Sequence, residues 1–287
     1  MANRFGPAGN SESFYAQGHI STKEQPAWLH EMGLDAFEYS FGRGVRIGEQ
    51  AAREICEQAQ KYDVQLSVHA PYYINLATED EEKMQNSIRY LAQSAQAAQW
   101  MGAKRVVFHP GVQGKGERID AVRRIEALMK RALGELDAQG FSSMIFCPES
   151  MGKIVQIGDL AETIAFCELD ERLIPCLDFG HLHARSLGAF GSAEDFQYAL
   201  DLVENRLGLE RARMLHVHFS RIEFTKAGEK RHWTYADRQF GPNFDPLAHE
   251  LARRSYAATI ICESKGTMAE DAATYKQLYL QALEELK

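Results

Sequence analysis

Cysteine is scarce in this 287-residue chain, and the five present (Cys56, Cys147, Cys167, Cys176 and Cys262) form no CxxC pair. An odd number without that spacing argues against both a disulfide framework and a cysteine-built zinc site, leaving small core residues. Long apolar runs are missing as well. Nothing approaches the roughly 18 consecutive apolar residues of a membrane span, and the opening MANRFGPAGNSESF lacks the apolar core of a signal peptide, so a cytoplasmic protein is expected. Basic residues are outnumbered, 32 Lys plus Arg against 40 Asp plus Glu, for a formal net charge of −8. Nucleic-acid binding is dominated by neutralising phosphates with Lys and Arg, so this balance argues against a generic nucleic-acid binder. No Gly-x-Gly-x-x-Gly turn follows the first apolar run, and no linker, low-complexity tract or long-period repeat breaks the chain. One domain over residues 1–287 is expected.

With 45% hydrophobic residues, the composition is that of an ordinary globular protein. Short β-rich runs alternate with helical patterns throughout: Asn3–Gly6, Ala36–Phe41, Val64–His69, Arg105–His109, Met144–Cys147, Leu173–Asp178, Met214–Phe219 and Ala258–Glu263. The intervening stretches include Glu79–Met101 and Arg118–Gln139, where Ile119, Val122, Ile125, Met129 and Leu133 recur at helical spacing. Nearly continuous apolar strands suit a parallel sheet covered on both faces. A doubly wound sheet is the plainer alternative; the unit count, the chain length and the missing glycine-rich turn favour a (β/α)8 TIM barrel.

Six successive strands end in His, Asp or Glu directly after the apolar run. They read SVHAPY (His69), VVFHPG (His109), IFCPES (Glu149), PCLDFGH (Asp178, His181), LHVHFS (His216, His218) and IICES (Glu263). In a barrel these carboxyl ends converge on one rim, where active sites of this architecture lie. Imidazole and carboxylate are the ligand set of zinc or manganese. A lone histidine beside a strand is ordinarily a hydrogen-bonded rim residue. Carboxylates ending buried strands are costly unless paired or metal-bound, so Glu149, Asp178 and Glu263 resist that explanation best. Asp178 and His181, three apart, are placed to reach different metals. Of the period-two pair, His218 is nearer the carboxyl end and is expected to ligate. His183 is expected outside the cluster, and His19, His30 and His249 in structural or exposed positions.

In this order, the segments resemble the endonuclease IV family of abasic-site DNA-repair nucleases, from about Val64 to Glu263. SVHAPYYINLA (Ser67–Ala77) is the most specific piece, supported by FHPG (Phe108–Gly111), LDFGH and the final CES. The resemblance implies a TIM barrel holding two or three zinc ions, with manganese an option at some sites. His69, His109, Glu149, Asp178, His181, His218, His232 and Glu263 would be the ligands, and Glu149 and Glu263 the catalytic carboxylates. The partner implied is double-stranded DNA carrying abasic sites, with no membrane and no obligate protein partner. One departure stands out: the family's Asp-Arg-His after the seventh strand is Lys230-Arg231-His232 here. A protonated lysine cannot bind zinc, so either Asp237 supplies the missing oxygen or the third site binds weakly or not at all.

The implied reaction is metal-assisted hydrolysis of the phosphodiester 5′ to an abasic site. Ions ~3.5–4 Å apart clamp a phosphodiester and lower the pKa of a water between them toward ~7. Tyr72 and Tyr73, beyond His69, suit aromatic wedges into the duplex, and Arg43 and Arg46 lie on a Gly-rich loop that can reach phosphates. Lys230, Arg231 and Arg238 add positive charge to the seventh loop. A competing reading is a sugar isomerase or epimerase of the same barrel superfamily, with one metal on Glu149, Asp178, His218 and Glu263. A third is a non-catalytic relative that binds damaged DNA. Each divalent ion adds two positive charges at the rim, so two or three would offset about half or more of the formal −8 there.

Overall fold

The computed structural model describes residues 2–287. Its centre is a ring of eight strands: β1 (Arg4–Pro7), β2 (Ala36–Ser40), β3 (Gln65–His69), β4 (Arg105–Phe108), β5 (Ile145–Pro148), β6 (Cys176–Asp178), β7 (His216–Phe219) and β8 (Thr259–Cys262). Hydrogen-bonded pairing runs β2-β3-β4-β5 in one four-stranded sheet and β1-β8-β7-β6 in another. Every pair is parallel. Two looser seams join the halves. One carries the bridge Ala8↔Glu38 between the ends of β1 and β2; the other carries Phe146↔Leu173 and Glu149↔Cys176 between β5 and β6. The result is a (β/α)8 TIM barrel.

Strand alternation separates two apolar layers. Val68, Val106, Phe108 and Phe146 face the helices in the main core, while Val107, Cys147, Ile174 and Cys176 form a small separate cluster on the opposite face. The long helix Glu81–Met101 begins where the Asp80 side chain accepts from the Glu82 and Lys83 amides, and it ends at left-handed Gly102. Helix Arg118–Ala138 buries Ala121, Ile125, Leu128, Met129, Ala132, Leu133 and Leu136. That stripe lies to one side of the expected one: Ile119 is 55% exposed and Val122 only half-buried. The alanines, small enough to let the helix sit close, carry part of the buried face.

The β1–β2 seam has its own requirement. A Cβ at Gly6 would stand 1.7 Å from the Ala36 carbonyl oxygen, so only glycine lets the two strands meet. Above the carboxyl ends, two small antiparallel additions cap the ring. Gly111–Val112 pairs with Gln156–Ile157, and Arg221–Thr225 pairs with Gly228–Trp233 as a hairpin. Among the described residues, no helix is long and apolar enough to cross a membrane.

Candidate metal centre

Glu149 follows β5 on the second seam and is fully buried, because its backbone is pinned from both sides. Its amide donates to the Phe108 carbonyl, and the following Ser150 amide donates to that of Cys176. Its two oxygens divide the surrounding imidazoles. Oε2 lies 3.1 Å from His69 Nε2 and 3.0 Å from His109 Nε2, and Oε1 lies 3.3 Å from His181 Nδ1 and from His218 Nδ1. Asp178 ends β6 and caps the helix Phe179–Arg185 through its Oδ1, which accepts from the His181 amide at 2.7 Å. Its other oxygen is buried with no hydrogen-bond donor among the described residues. Ligand atoms of Glu149, Asp178, His218 and Glu263 lie within 4.8 Å of one another. Three carboxylates so placed repel, and a cation is what such a donor set accommodates.

The imidazoles point the same way. His69 donates Nδ1–H to the Ala70 carbonyl at 2.8 Å, His181 Nδ1–H to that of Ser150 at 2.9 Å, and His232 Nδ1 meets the Ser220 hydroxyl at 2.8 Å. Each ring thus has one nitrogen tied to the protein and Nε2 left for the cluster, the arrangement of metal-ligating histidines. Groups with metal-holding geometry are His69, His109 and Glu149; Glu149, Asp178, His218 and Glu263; His181, His232 and Glu263; and His69, His218 and Glu263, which links the first two. Asp178 and His181 fall in different groups. The residues therefore fit divalent cations. The set Cys176, His216 and His218 also has suitable spacing, but both imidazoles turn Nε2 to another acid and burial raises the Cys176 thiol well above its ordinary pKa.

The carboxylate missing from the seventh loop is present one residue early. In the hairpin, Ile222 pairs with His232 and Phe224 with Glu229, while Lys230 opposes nothing and forms a bulge. Ile222 and Phe224, two apart, share a face, so their partners His232 and Glu229 share one too. Glu229 Oε2 consequently lies 3.5 Å from His181 Nε2 and Oε1 3.8 Å from His232 Nε2. Gly152 makes room for it: a Cβ there would meet Glu229 Cβ at 2.7 Å and His181 Cδ2 at 2.8 Å. Asp237, expected as the substitute ligand, is instead occupied in its own turn, where its Oδ2 accepts from the Thr234 amide at 3.0 Å and hydroxyl at 2.6 Å. Lys230 turns away to Glu223. The spacing of three between Glu229 and His232 hid the pair, because an unbulged strand would put them on opposite faces.

A second acid also escaped sequence reasoning. Glu38, in the middle of β2, is fully buried with Ser67 Oγ and His216 Nε2 at 2.8 and 2.9 Å from its Oε2, and His218 Nε2 at 2.9 Å from its Oε1. The signal was a lone acid inside an apolar strand, FEYSF. His183 donates to the Phe190 carbonyl away from the cluster. His19 and His249 pair with Glu24 and Glu285.

With imidazoles as the nearest counter-charges of the rim carboxylates, the electrostatics are strained. Burial draws His69 down, but the hydrogen bond and charge of Glu149 take it up to about 9. Burial raises Glu263, and His218 beside it brings it to about 2. Asp178 goes the other way: burial, with Glu263 and Glu149 adding to it, pushes it up to about 6 despite His181. His216 is pulled to about 4 by burial.

The centre floors a cleft of about 420 Å³ edged by Gly42, Tyr72, Lys153 and Gln156. Tyr72 and Tyr73 stand at its mouth, about half exposed, with ring centroids 4.7 Å apart, and Arg43 is exposed beside Gly42. A larger cavity of about 830 Å³ opens near Arg4, Asp63, Lys104 and Arg105, at the amino ends of the strands, away from this chemistry.

The chain is 37% identical over 236 residues to an uncharacterized protein of Methanocaldococcus jannaschii, covering 82% of this chain and 84% of that one. It is 29% identical over 237 residues to a probable endonuclease 4 of Staphylococcus aureus, covering 80% and 77%. Among solved structures, endonuclease IV from Thermus thermophilus superposes with a TM-score of 0.69 at 22% identity, covering 99% of this chain and 100% of that one. An L-ribulose 3-epimerase gives 0.70 at 15% identity, covering 100% and 97%. Those two likenesses establish the shared barrel. The match over residues 26–285, nearly the whole ring, makes this chain a member of the xylose isomerase-like TIM barrel family, with endonuclease 4 homologues among its relatives.

Proposed function

We propose that the protein is a divalent-metal-dependent phosphodiesterase that incises DNA 5′ to abasic sites. The observation that supports this reading is the set of adjoining rim groups, with Glu149 common to two of them and Glu263 to three. In a single-metal enzyme His69, His109 and His181 would have to serve as substrate contacts or acid–base groups, and His232 would be left without a role. His69 and His109 with Glu149 would hold one ion, Glu149, Asp178, His218 and Glu263 a second, and His181, His232 and Glu229 a third. Zinc fits the imidazole-rich donor set, with manganese as the alternative where carboxylates dominate.

Ions so placed supply charge to a phosphodiester and acidity to a water molecule at neutral pH. The protein's part is positioning. Glu149, whose two oxygens face different imidazoles, would be shared between adjoining ions. Glu263 is the catalytic carboxylate at the cleft, 20% exposed where Glu149 is sealed, and it orients the attacking water. Tyr72 and Tyr73 would enter the duplex as wedges, helped by the weak stacking of an abasic nucleotide. Arg43 at the same mouth would meet a phosphate.

The middle group alone matches the competing reading, a single-metal isomerase or epimerase, and the barrel shared with an epimerase is compatible with it. Metal analysis combined with an abasic-duplex incision assay separates the two. Two or three ions per chain, incision abolished by chelator and restored by zinc, and loss of incision in Glu263→Gln are expected. A fully loaded protein that leaves abasic duplex intact would overturn the nuclease.

A further inference from the structure

We propose that Glu38 is a positioning residue of the metal centre: it holds the Nε2–H of His218 from beneath, so that Nδ1 is the atom presented to the cation. The inference rests on the metal-binding part of the reading above and is independent of any action on DNA.

Glu38 is not on the rim. It rises from the middle of β2, fully buried, and reaches across the barrel to β7. Isolated, a carboxylate there would cost several kcal/mol. Its Oε2 is satisfied by Ser67 Oγ at 2.8 Å and His216 Nε2 at 2.9 Å. Its Oε1 and His218 Nε2 lie 2.9 Å apart as an ion pair without the alignment of a hydrogen bond, and neither is hydrogen-bonded elsewhere among the described residues, so a small turn of either side chain would join them. The Cys176 thiol is the other polar group beside the His218 ring.

A carboxylate only accepts, so both facing imidazole nitrogens must carry protons. For His216 this leaves Nδ1 as an acceptor, and Arg105 Nη1 approaches it at 3.5 Å while also donating to Thr259 Oγ1 at 3.1 Å. Arg105 and Glu38 therefore cancel in charge across a neutral His216, and the buried network closes without needing a charge on His218. For His218 it leaves the Nδ1 lone pair 3.3 Å from Glu149 Oε1 and 3.5 Å from Glu263 Oε1, aimed into the middle group. The other anchored imidazoles lean on carbonyls or a hydroxyl. A carboxylate anchor raises the donor strength of the opposite nitrogen and fixes the ring's tautomer.

Two measurements test this. In zinc-loaded wild-type protein, long-range ¹⁵N–¹H spectra should place the His218 proton on Nε2 and the metal-shifted resonance on Nδ1. In Glu38→Gln, the amide nitrogen must confront an imidazole N–H, so zinc affinity at one site should fall about 10- to 100-fold in chelator competition, with the remaining ions unaffected. Glu38→Asp, which keeps the charge, should recover part of that loss. A His218 proton on Nδ1, or unchanged affinity in Glu38→Gln, would overturn the proposal. Should Glu38→Gln not fold, the wild-type spectrum alone decides. Loss of incision with normal zinc binding and tautomer would overturn the nuclease while leaving Glu38 in its role.

Discussion

Stripped of divalent ions, the protein should lose folding stability as pH rises from about 6.5 to about 9. His69 is the clearest contributor: its side chain is 12% exposed, and Glu149 takes its pKa from 6.5 to about 9. At about 1.4 kcal/mol per unit, that shift corresponds to on the order of 3 kcal/mol. A group whose folded pKa is raised binds more protons in the native state, so its contribution is complete below the unfolded value and lost as pH climbs through the folded one. His181 and His218 are raised as well and act in the same direction, though all three share Glu149 and do not add. Glu149, Glu38 and Glu263 are lowered, so their contribution is lost only at acid pH, outside this window. Asp178, raised to about 6, has largely finished titrating at its lower edge. With zinc bound, the imidazoles are neutral ligands and their deprotonation costs nothing further. Urea denaturation at pH 6.5 and 9.5, with chelator and with zinc, should therefore show a fall of a few kcal/mol in the first series and none in the second. A chelated protein whose stability is flat or rises across that interval would refute the reasoning.

Glu229→Gln should lower the metal count by one ion per chain while Asp237→Asn leaves it unchanged, as read by elemental analysis after dialysis. Deleting Lys230 removes the bulge but leaves Glu229 opposite Phe224 and two residues from His232, on the same face, so the metal count should be unchanged; loss of an ion would show that the bulge itself shapes the site. Gly6→Ala forces a methyl into the Ala36 carbonyl and should destabilise by about 3 kcal/mol in denaturant titration; a shift below about 1 kcal/mol would show that the β1–β2 seam is loose.

The barrel itself was legible because each strand is a short apolar run. The centres of all eight were recognisable, from Arg4–Pro7 to Thr259–Cys262. The convergence of the rim residues from His69 to Glu263 was legible for a related reason: strand ends converge, so a polar residue directly after an apolar run has a predictable place. Glu229 and Glu38 were not. The first depends on a bulge, which breaks the two-residue period that sequence reading relies on. The second lies inside a strand, where its partners come from β3 and β7, nearly 30 and 180 residues away. The helix stripe of Arg118–Ala138 was misplaced because alanines bury as readily as the larger residues that were counted.

The barrel's two half-sheets divide the ligands unevenly. His69, His109 and Glu149 all belong to the β2–β5 half, and His181, His232 and Glu263 to the other, whereas the middle group joins Glu149 to Asp178, His218 and Glu263 across the seam. Either outer position can be assembled by one half alone. The middle one exists only when the ring is shut, so an ion captured there stabilises the closed barrel in proportion to its binding. Such an ion would act as a latch: a chain that fails to close keeps its acids apart and offers no site to hold it.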